Sequence, residues 1–154
     1  MYKRQILRRD AAAAGLKSTF SIYDSADSKR LITNIAKDLG LDSKQHPPRA
    51  FQSKISSLKN ELVTPEEYAA QAENAKNPAE RTIAQMYTQY QERLRTANAV
   101  DFDDLIGMTV RLLAENPAIR EGYRRRFRHV LVDEYQDTNT AQYRLCLLYT
   151  SPSP

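Results

Sequence analysis

Val130, Leu131 and Val132 form an apolar, largely β-branched run that stops on Asp133 and Glu134. A half-exposed strand alternates apolar and polar residues, so this run predicts a strand covered on both faces, as in a parallel sheet flanked by helices. Such a strand limits the fold, because its backbone groups need neighbouring strands and its side chains need helices above and below. Ligands of such sheets gather at the carboxyl ends of strands, and that is where Asp133 and Glu134 fall. Adjacent carboxylates there can divide the work of nucleotide hydrolysis: one holds hydrated Mg²⁺ while the other polarises the attacking water, the Walker B arrangement. A strand that merely ends in solvated acids shares the short pattern.

The rest of the chain reads as helix. It has four Gly in 154 residues, few for a protein rich in tight turns. Ile6 to about Ala14 has helical composition, and Gly15 stands where a helix would end in the left-handed conformation. Phe20, Ile22 and Tyr23 make a short extended or turning segment. Asp24 or Ser25 can cap a helix with Leu31, Ile32, Ile35 and Leu39 on one face before Gly40 stops it. After Pro47-Pro48, the residues Phe51, Ile55, Leu58 and Leu62 recur at helical spacing. Thr64-Pro65-Glu66-Glu67 is a capping box with proline in the first turn. Asn77-Pro78 opens a helix of about twenty residues carrying Ile83, Met86, Tyr87, Tyr90 and Leu94 on one stripe. Asp101 can cap the next, with Asp104 in its first turn. Asn116-Pro117 starts another, with Ile119, Tyr123 and Phe127 inward, and Ala141 to Leu148 should form the helix after the strand.

Composition narrows the function. No stretch approaches the roughly 18 consecutive apolar residues of a membrane span, and Lys3, Arg4, Arg8 and Arg9 are followed by no secretory core, so a cytoplasmic protein without membrane contact is expected. The single cysteine, Cys146, can form neither an internal disulfide nor a cysteine-rich zinc site, and His46 and His129 are isolated. A net charge of +4 suits a polyanionic partner without requiring one. Arg120, Arg124, Arg125, Arg126 and Arg128 cluster ahead of the strand. They are candidate DNA phosphate contacts, although no aromatic is free beside them to stack a base, and a solvated helix face explains them as well.

Longer strings carry more information. Asp133-Glu134-Tyr135-Gln136-Asp137-Thr138-Asn139, followed by Ala141-Gln142-Tyr143, closely resembles motif II of the UvrD/Rep/PcrA family of superfamily 1 DNA helicases. Val100-Asp101-Phe102-Asp103-Asp104-Leu105-Ile106 is similar to the segment ahead of motif II in that family, and the resemblance runs from about Leu7 to about Leu145. It implies a mainly α fold: a helical subdomain followed by a partial P-loop NTPase (RecA-like) α/β element containing the Walker B strand. The corresponding divisions are a boundary segment and helix at 1–23, a helical insert at 24–98, a partial ATP-binding core at 99–148 and a tail at 149–154. The proline-rich tail and the poorly matching Met1 to Gln5 are expected to be boundaries rather than native termini.

By the same resemblance, Asp133 would hold the Mg²⁺ of MgATP, Glu134 would be the general base and contact the nucleotide, and Gln136 would help communicate nucleotide state. Asp137 would buttress the site and Tyr135 would pack. Phe102, Asp103 and Asp104 also match the family, but packing and helix capping account for them. Family members couple ATP hydrolysis to movement along single-stranded DNA and to duplex unwinding, in roles such as DNA repair. No G-x-x-x-x-G-K-[ST] loop occurs in these residues, so no loop Lys is available for the β- and γ-phosphates. The 154 residues alone are therefore expected to be inactive and to need the remainder of a helicase chain. The alternative is a non-catalytic helical module that binds DNA or another protein.

Overall fold

A computed structural model describes residues 2–42, 44, 46–127 and 138–150. The elements run α1 (Tyr2–Arg9), a 3-10 turn (Ala11–Ala14), β1 (Ser21–Tyr23), α2 (Ser25–Asp38), α3 (Pro48–Asn60), α4 (Pro65–Glu73) and α5 (Pro78–Thr96). They continue with β2 (Ala99–Asp101), α6 (Phe102–Glu115), α7 (Pro117–Arg126) and α8 (Thr140–Thr150). The described part is thus mainly helical with one small parallel sheet. The apolar strand expected at Val130–Val132 lies outside the described residues.

Local chemistry starts most helices where the sequence suggests. Asp24 accepts from the Asp27 amide at 2.8 Å while Asp27 accepts from the Asp24 amide, and Thr64 with Glu67 repeats the arrangement for α4. Each box satisfies two amides that the helix itself leaves unpaired. Asn77 accepts from the Ala79 amide to open α5, with Pro78 in its first turn.

Two endings depart from the pattern. The helix expected through Ala14 breaks at Asp10, whose carboxylate accepts from the Tyr123 hydroxyl, and the chain continues as the 3-10 turn to Gly15 at φ 72°. α3 stops at Asn60, so Leu62 lies outside the helix whose stripe it seemed to extend. Leu62 occupies the left-handed position at φ 63° that glycine normally fills, while the Leu62 and Val63 amides donate to the carbonyls of Lys59 and Leu58.

β1 and β2 pair in parallel, with Ile22 opposite Val100 and Tyr23 opposite Asp101. A parallel pair needs a crossover, and here the crossover carries all of α2 to α5. Asn98, left-handed at φ 46°, turns the chain from α5 into β2. Its carbonyl accepts from the Ser21 amide and its side chain from the Lys17 amide, tying the two strand starts together. Asparagine tolerates this conformation better than other side chains with a Cβ.

Two apolar clusters result. One joins α2 to α5 through Ile32, Ile35, Phe51, Ile55, Met86 and Leu94; the other joins α1, β2, α6 and α7 through Leu7, Phe20, Val100, Leu113 and Tyr123. Ile35, Met86 and Leu94 are fully buried, and each such side chain contributes about 1.5–3 kcal/mol. That contribution matters because helices of this length are marginal alone. β2 serves both clusters by alternation: Ala99 belongs to the first and Val100 to the second. Asp101, two residues after Ala99, therefore returns to the helical side. Among the described residues no helix is long and apolar enough to cross a membrane.

Candidate functional site

Asp101 ends β2 and caps α6, accepting from the Asp104 amide at 2.8 Å while Asp104 accepts from the Asp101 amide at 3.2 Å. Both carboxylates are buried, which is costly unless a cation meets them. Lys59, from the last turn of α3, meets both: its Nζ lies 2.7 Å from Asp101 Oδ2 and 2.9 Å from Asp104 Oδ1. The Tyr90 hydroxyl donates to Asp101 Oδ2 at 2.9 Å and lies 3.0 Å from Ser28 Oγ. The cluster therefore binds α2, α3 and α5 to the junction of β2 and α6.

One ammonium between two carboxylates sets the protonation. Burial opposes charge on Lys59, but the Asp104 and Asp101 carboxylates outweigh it and raise its pKa. Burial also pushes Asp101 toward the neutral form, yet Lys59 and the hydrogen bonds from Asp104 and Tyr90 hold its pKa below the ordinary value. Asp104 is raised, by burial first and by the Asp101 charge after it, with Lys59 opposing. Asp103 is also raised by burial, against a hydrogen bond from Ser56.

Directly after buried Asp101 comes Phe102, 58% exposed. The expectation that Phe102 packs is overturned: the first turn of α6 turns Asp101 and Asp104 inward and leaves the ring in solvent. It borders a cavity of about 250 Å³ that Tyr23, Ser25, Gln52 and Ser56 also line. Ser25, Gln52 and Ser56 continue into an open groove of about 830 Å³ reaching Arg49 and Thr138. The Gln52 amide donates to the Ser25 carbonyl at 3.0 Å, fixing one wall. A polar, hydroxyl-lined groove with an exposed ring at one end can hydrogen-bond a polar chain and stack a planar group.

The groove also meets the start of α8. Asn139 accepts from the Gln142 amide at 2.9 Å and Gln142 accepts from the Asn139 amide at 3.4 Å, a box like the others. The Asn139 side chain also donates to Asn60 Oδ1 on α3 at 2.8 Å.

Asp133, Glu134, Tyr135, Gln136, Asp137 and Arg128 lie outside the described residues. Arg124, Arg125 and Arg126 occupy the last turn of α7 and do not line the groove beside Phe102. Arg125 pairs with Glu121 at 3.4 Å and Arg126 sits over the Phe127 ring. Among the described residues no cluster of His, Cys, Asp and Glu could hold a metal ion.

Lys59, Tyr90, Ser28 and Asn60 are partners that sequence reasoning missed. A signal existed for Lys59: it follows Ile55 by four residues and so falls on the apolar stripe of α3, where a lysine needs an acid opposite.

The described residues thus hold a parallel strand pair joined by a helical crossover, with an acidic cap at the start of α6. Residues 2–153 match the family described as the UvrD/REP helicase N-terminal domain, and the chain belongs to that family. It is 55% identical over 142 residues to the ATP-dependent DNA helicase UvrD1 of Mycobacterium tuberculosis, covering 92% of this chain and 18% of that protein. It is 44% identical over 147 residues to the ATP-dependent DNA helicase PcrA of Staphylococcus aureus, covering 96% and 20%. To PcrA of Leuconostoc citreum it is 41% identical over 149 residues, covering 97% and 20%. The chain spans about a fifth of the length of these relatives.

Proposed function

We propose that the chain is a segment of an enzyme that uses ATP hydrolysis to move along single-stranded DNA and unwind duplex DNA. In this reading MgATP is the substrate. Asp133 would hold the Mg²⁺ of MgATP, which would neutralise phosphate charge, and Glu134 would serve as the general base for water. Gln136 would help communicate nucleotide state, and Asp137 would steady the site. Oxygen donors such as these carboxylates match the preference of Mg²⁺. The phosphate loop and the second RecA-like domain must come from elsewhere in the enzyme, so the 154 residues alone are inactive. Residues 24–98 form the helical insert and 99–148 belong to the ATP-binding core, a division supported by the two apolar clusters on either side of β2. A cytoplasmic location belongs to the same reading.

The observation that carries the DNA half of the proposal is Phe102. An aromatic ring 58% exposed, anchored by a buried neighbour and opening on a polar groove, suits stacking of an unpaired base while Ser25, Gln52, Ser56 and Arg49 meet sugar and phosphate. Arg124, Arg125, Arg126 and Arg128 are then auxiliary phosphate contacts outside the groove. The test is single-stranded DNA binding by the full-length enzyme and its Phe102→Ala variant. One lost stacking contact weakens affinity about 5- to 150-fold, with thermal stability unchanged because the ring supports no core. Equal affinity in the two proteins would reject the assignment.

A further inference from the structure

The cavity of about 250 Å³ beside Phe102 is also lined by Tyr90, Ser28 and Asp101, all three buried. The Tyr90 hydroxyl lies 2.9 Å from Asp101 Oδ2 and 3.0 Å from Ser28 Oγ. A carboxylate can only accept, so the tyrosine proton goes to Asp101 and the Ser28 hydroxyl donates to the tyrosine oxygen. One hydroxyl thereby joins two parts of the cavity lining. Asp101 immediately precedes Phe102 and caps its helix, while Ser28 stands one turn after Ser25 on α2.

Phe102 depends on such a tie. Its ring is 58% exposed, so packing does not fix its place and the first turn of α6 must. That turn is held through the Asp101 carboxylate, whose Oδ1 accepts from the Asp104 amide and whose Oδ2 accepts from Lys59 and Tyr90. Lys59 ties the turn to α3, and Tyr90 ties it through Ser28 to α2. Tyr90 is itself firmly placed: it is 1% exposed, with the Lys59 ammonium 5.0 Å from its ring centroid. A binding slot whose walls are held before the ligand arrives does not spend binding energy on ordering them.

We propose that Tyr90 is a positioning residue for single-stranded DNA: its hydroxyl sets the spacing between the Phe102 ring and the start of α2, so that a base stacked on the ring meets the Ser25 side of the slot without further ordering. Tyr90 acts through Asp101 and Ser28. The inference rests on the reading of Phe102 as a DNA contact given above.

The experiment titrates the full-length enzyme with a fluorescent single-stranded oligothymidine, below the melting transition of every variant. Tyr90→Phe keeps the ring but removes the bridge, and should weaken binding about two- to tenfold, the size of one ordering cost moved into the binding step. Ser28→Ala leaves the bond to Asp101 and frees only α2, and should weaken binding within the same range. In a Phe102→Ala background neither substitution should have a further effect. Tyr87→Phe controls for stability: the Tyr87 hydroxyl donates to the Val63 carbonyl at 3.0 Å, away from this cavity, so the variant loses an internal hydrogen bond and should bind DNA as the wild type does. Unchanged affinity in Tyr90→Phe or in Ser28→Ala, an equal loss in the Phe102→Ala background, or an equal loss in Tyr87→Phe would overturn the positioning role and leave the DNA reading of Phe102 standing. Wild-type affinity in Phe102→Ala itself would instead overturn that reading and the positioning role with it.

Discussion

Lys59 Nζ lies 2.7 Å from Asp101 Oδ2, and the two side chains retain only 5% and 9% of their exposure. The pair joins the helical crossover to the end of the strand that follows it. Lys59→Met keeps most of the side-chain volume but leaves Asp101 and Asp104 buried without a cation. Breaking a buried pair in this way costs about 3–5 kcal/mol, so urea unfolding should show a loss of that size. A loss below about 1 kcal/mol would mean that the carboxylates find other compensation.

The same cluster should give stability an alkaline limit. The folded-state pKa of Lys59 is raised above its ordinary value of 10.5. Its contribution is therefore complete below 10.5 and is lost as pH rises through the raised value. Tyr68, Tyr87 and Tyr90 are also raised from 10.0, chiefly by burial, and weaken the fold in the same direction above that pH. The difference in unfolding free energy between the wild type and Lys59→Met isolates the lysine part. It should stay level up to about pH 10 and shrink above 10.5. On the acid side, Asp104 is raised and its burial penalty is relieved as it protonates above 3.8, whereas the stability from lowered Asp101 is lost only below that value. A difference that grows with rising pH would contradict the assignment.

Tyr90→Phe removes the hydroxyl that donates to Asp101 and leaves Ser28 without that neighbour. A hydrogen bond to a charged group contributes about 1.5–3 kcal/mol, and thermal unfolding should report a loss in that range. A neutral effect would show that Lys59 alone satisfies the carboxylate.

What the sequence made legible was local. Asp24, Thr64, Asn77 and Asp101 could be read as helix starts because a cap and its partner lie within three residues of each other. Gly15 and Gly40 could be read as stops because left-handed backbone favours glycine. Leu62 misled for the converse reason: its spacing continued the stripe of α3, while its backbone had already turned left-handed. β2 was hidden because three residues carry little pattern, and their partner strand lies on the far side of four helices. Phe102 was hidden because its capping neighbours are buried, and only the three-dimensional turn of α6 exposes the ring between them. Asn60 had no local signal, since its partner Asn139 is remote in sequence.

The 154 residues alone should release no phosphate from ATP above background, because they contain no phosphate loop. The assay compares release with and without single-stranded DNA. DNA-stimulated release that disappears in Glu134→Gln would place a complete site within this chain and contradict the expectation.

The most direct test of the account uses Glu134→Gln and Asp133→Ala in the full-length enzyme, following MgATP binding and DNA-stimulated phosphate release across a titration of ATP and Mg²⁺. An amide keeps the size of the carboxylate but is a poor proton acceptor, so Glu134→Gln should bind MgATP normally and lose about 10²- to 10⁴-fold in turnover. Asp133→Ala should instead show a defect that responds to Mg²⁺, because the ion has lost its carboxylate anchor. Wild-type turnover in Glu134→Gln, or rescue of Glu134→Gln by excess Mg²⁺ with Asp133→Ala unaffected, would contradict the account.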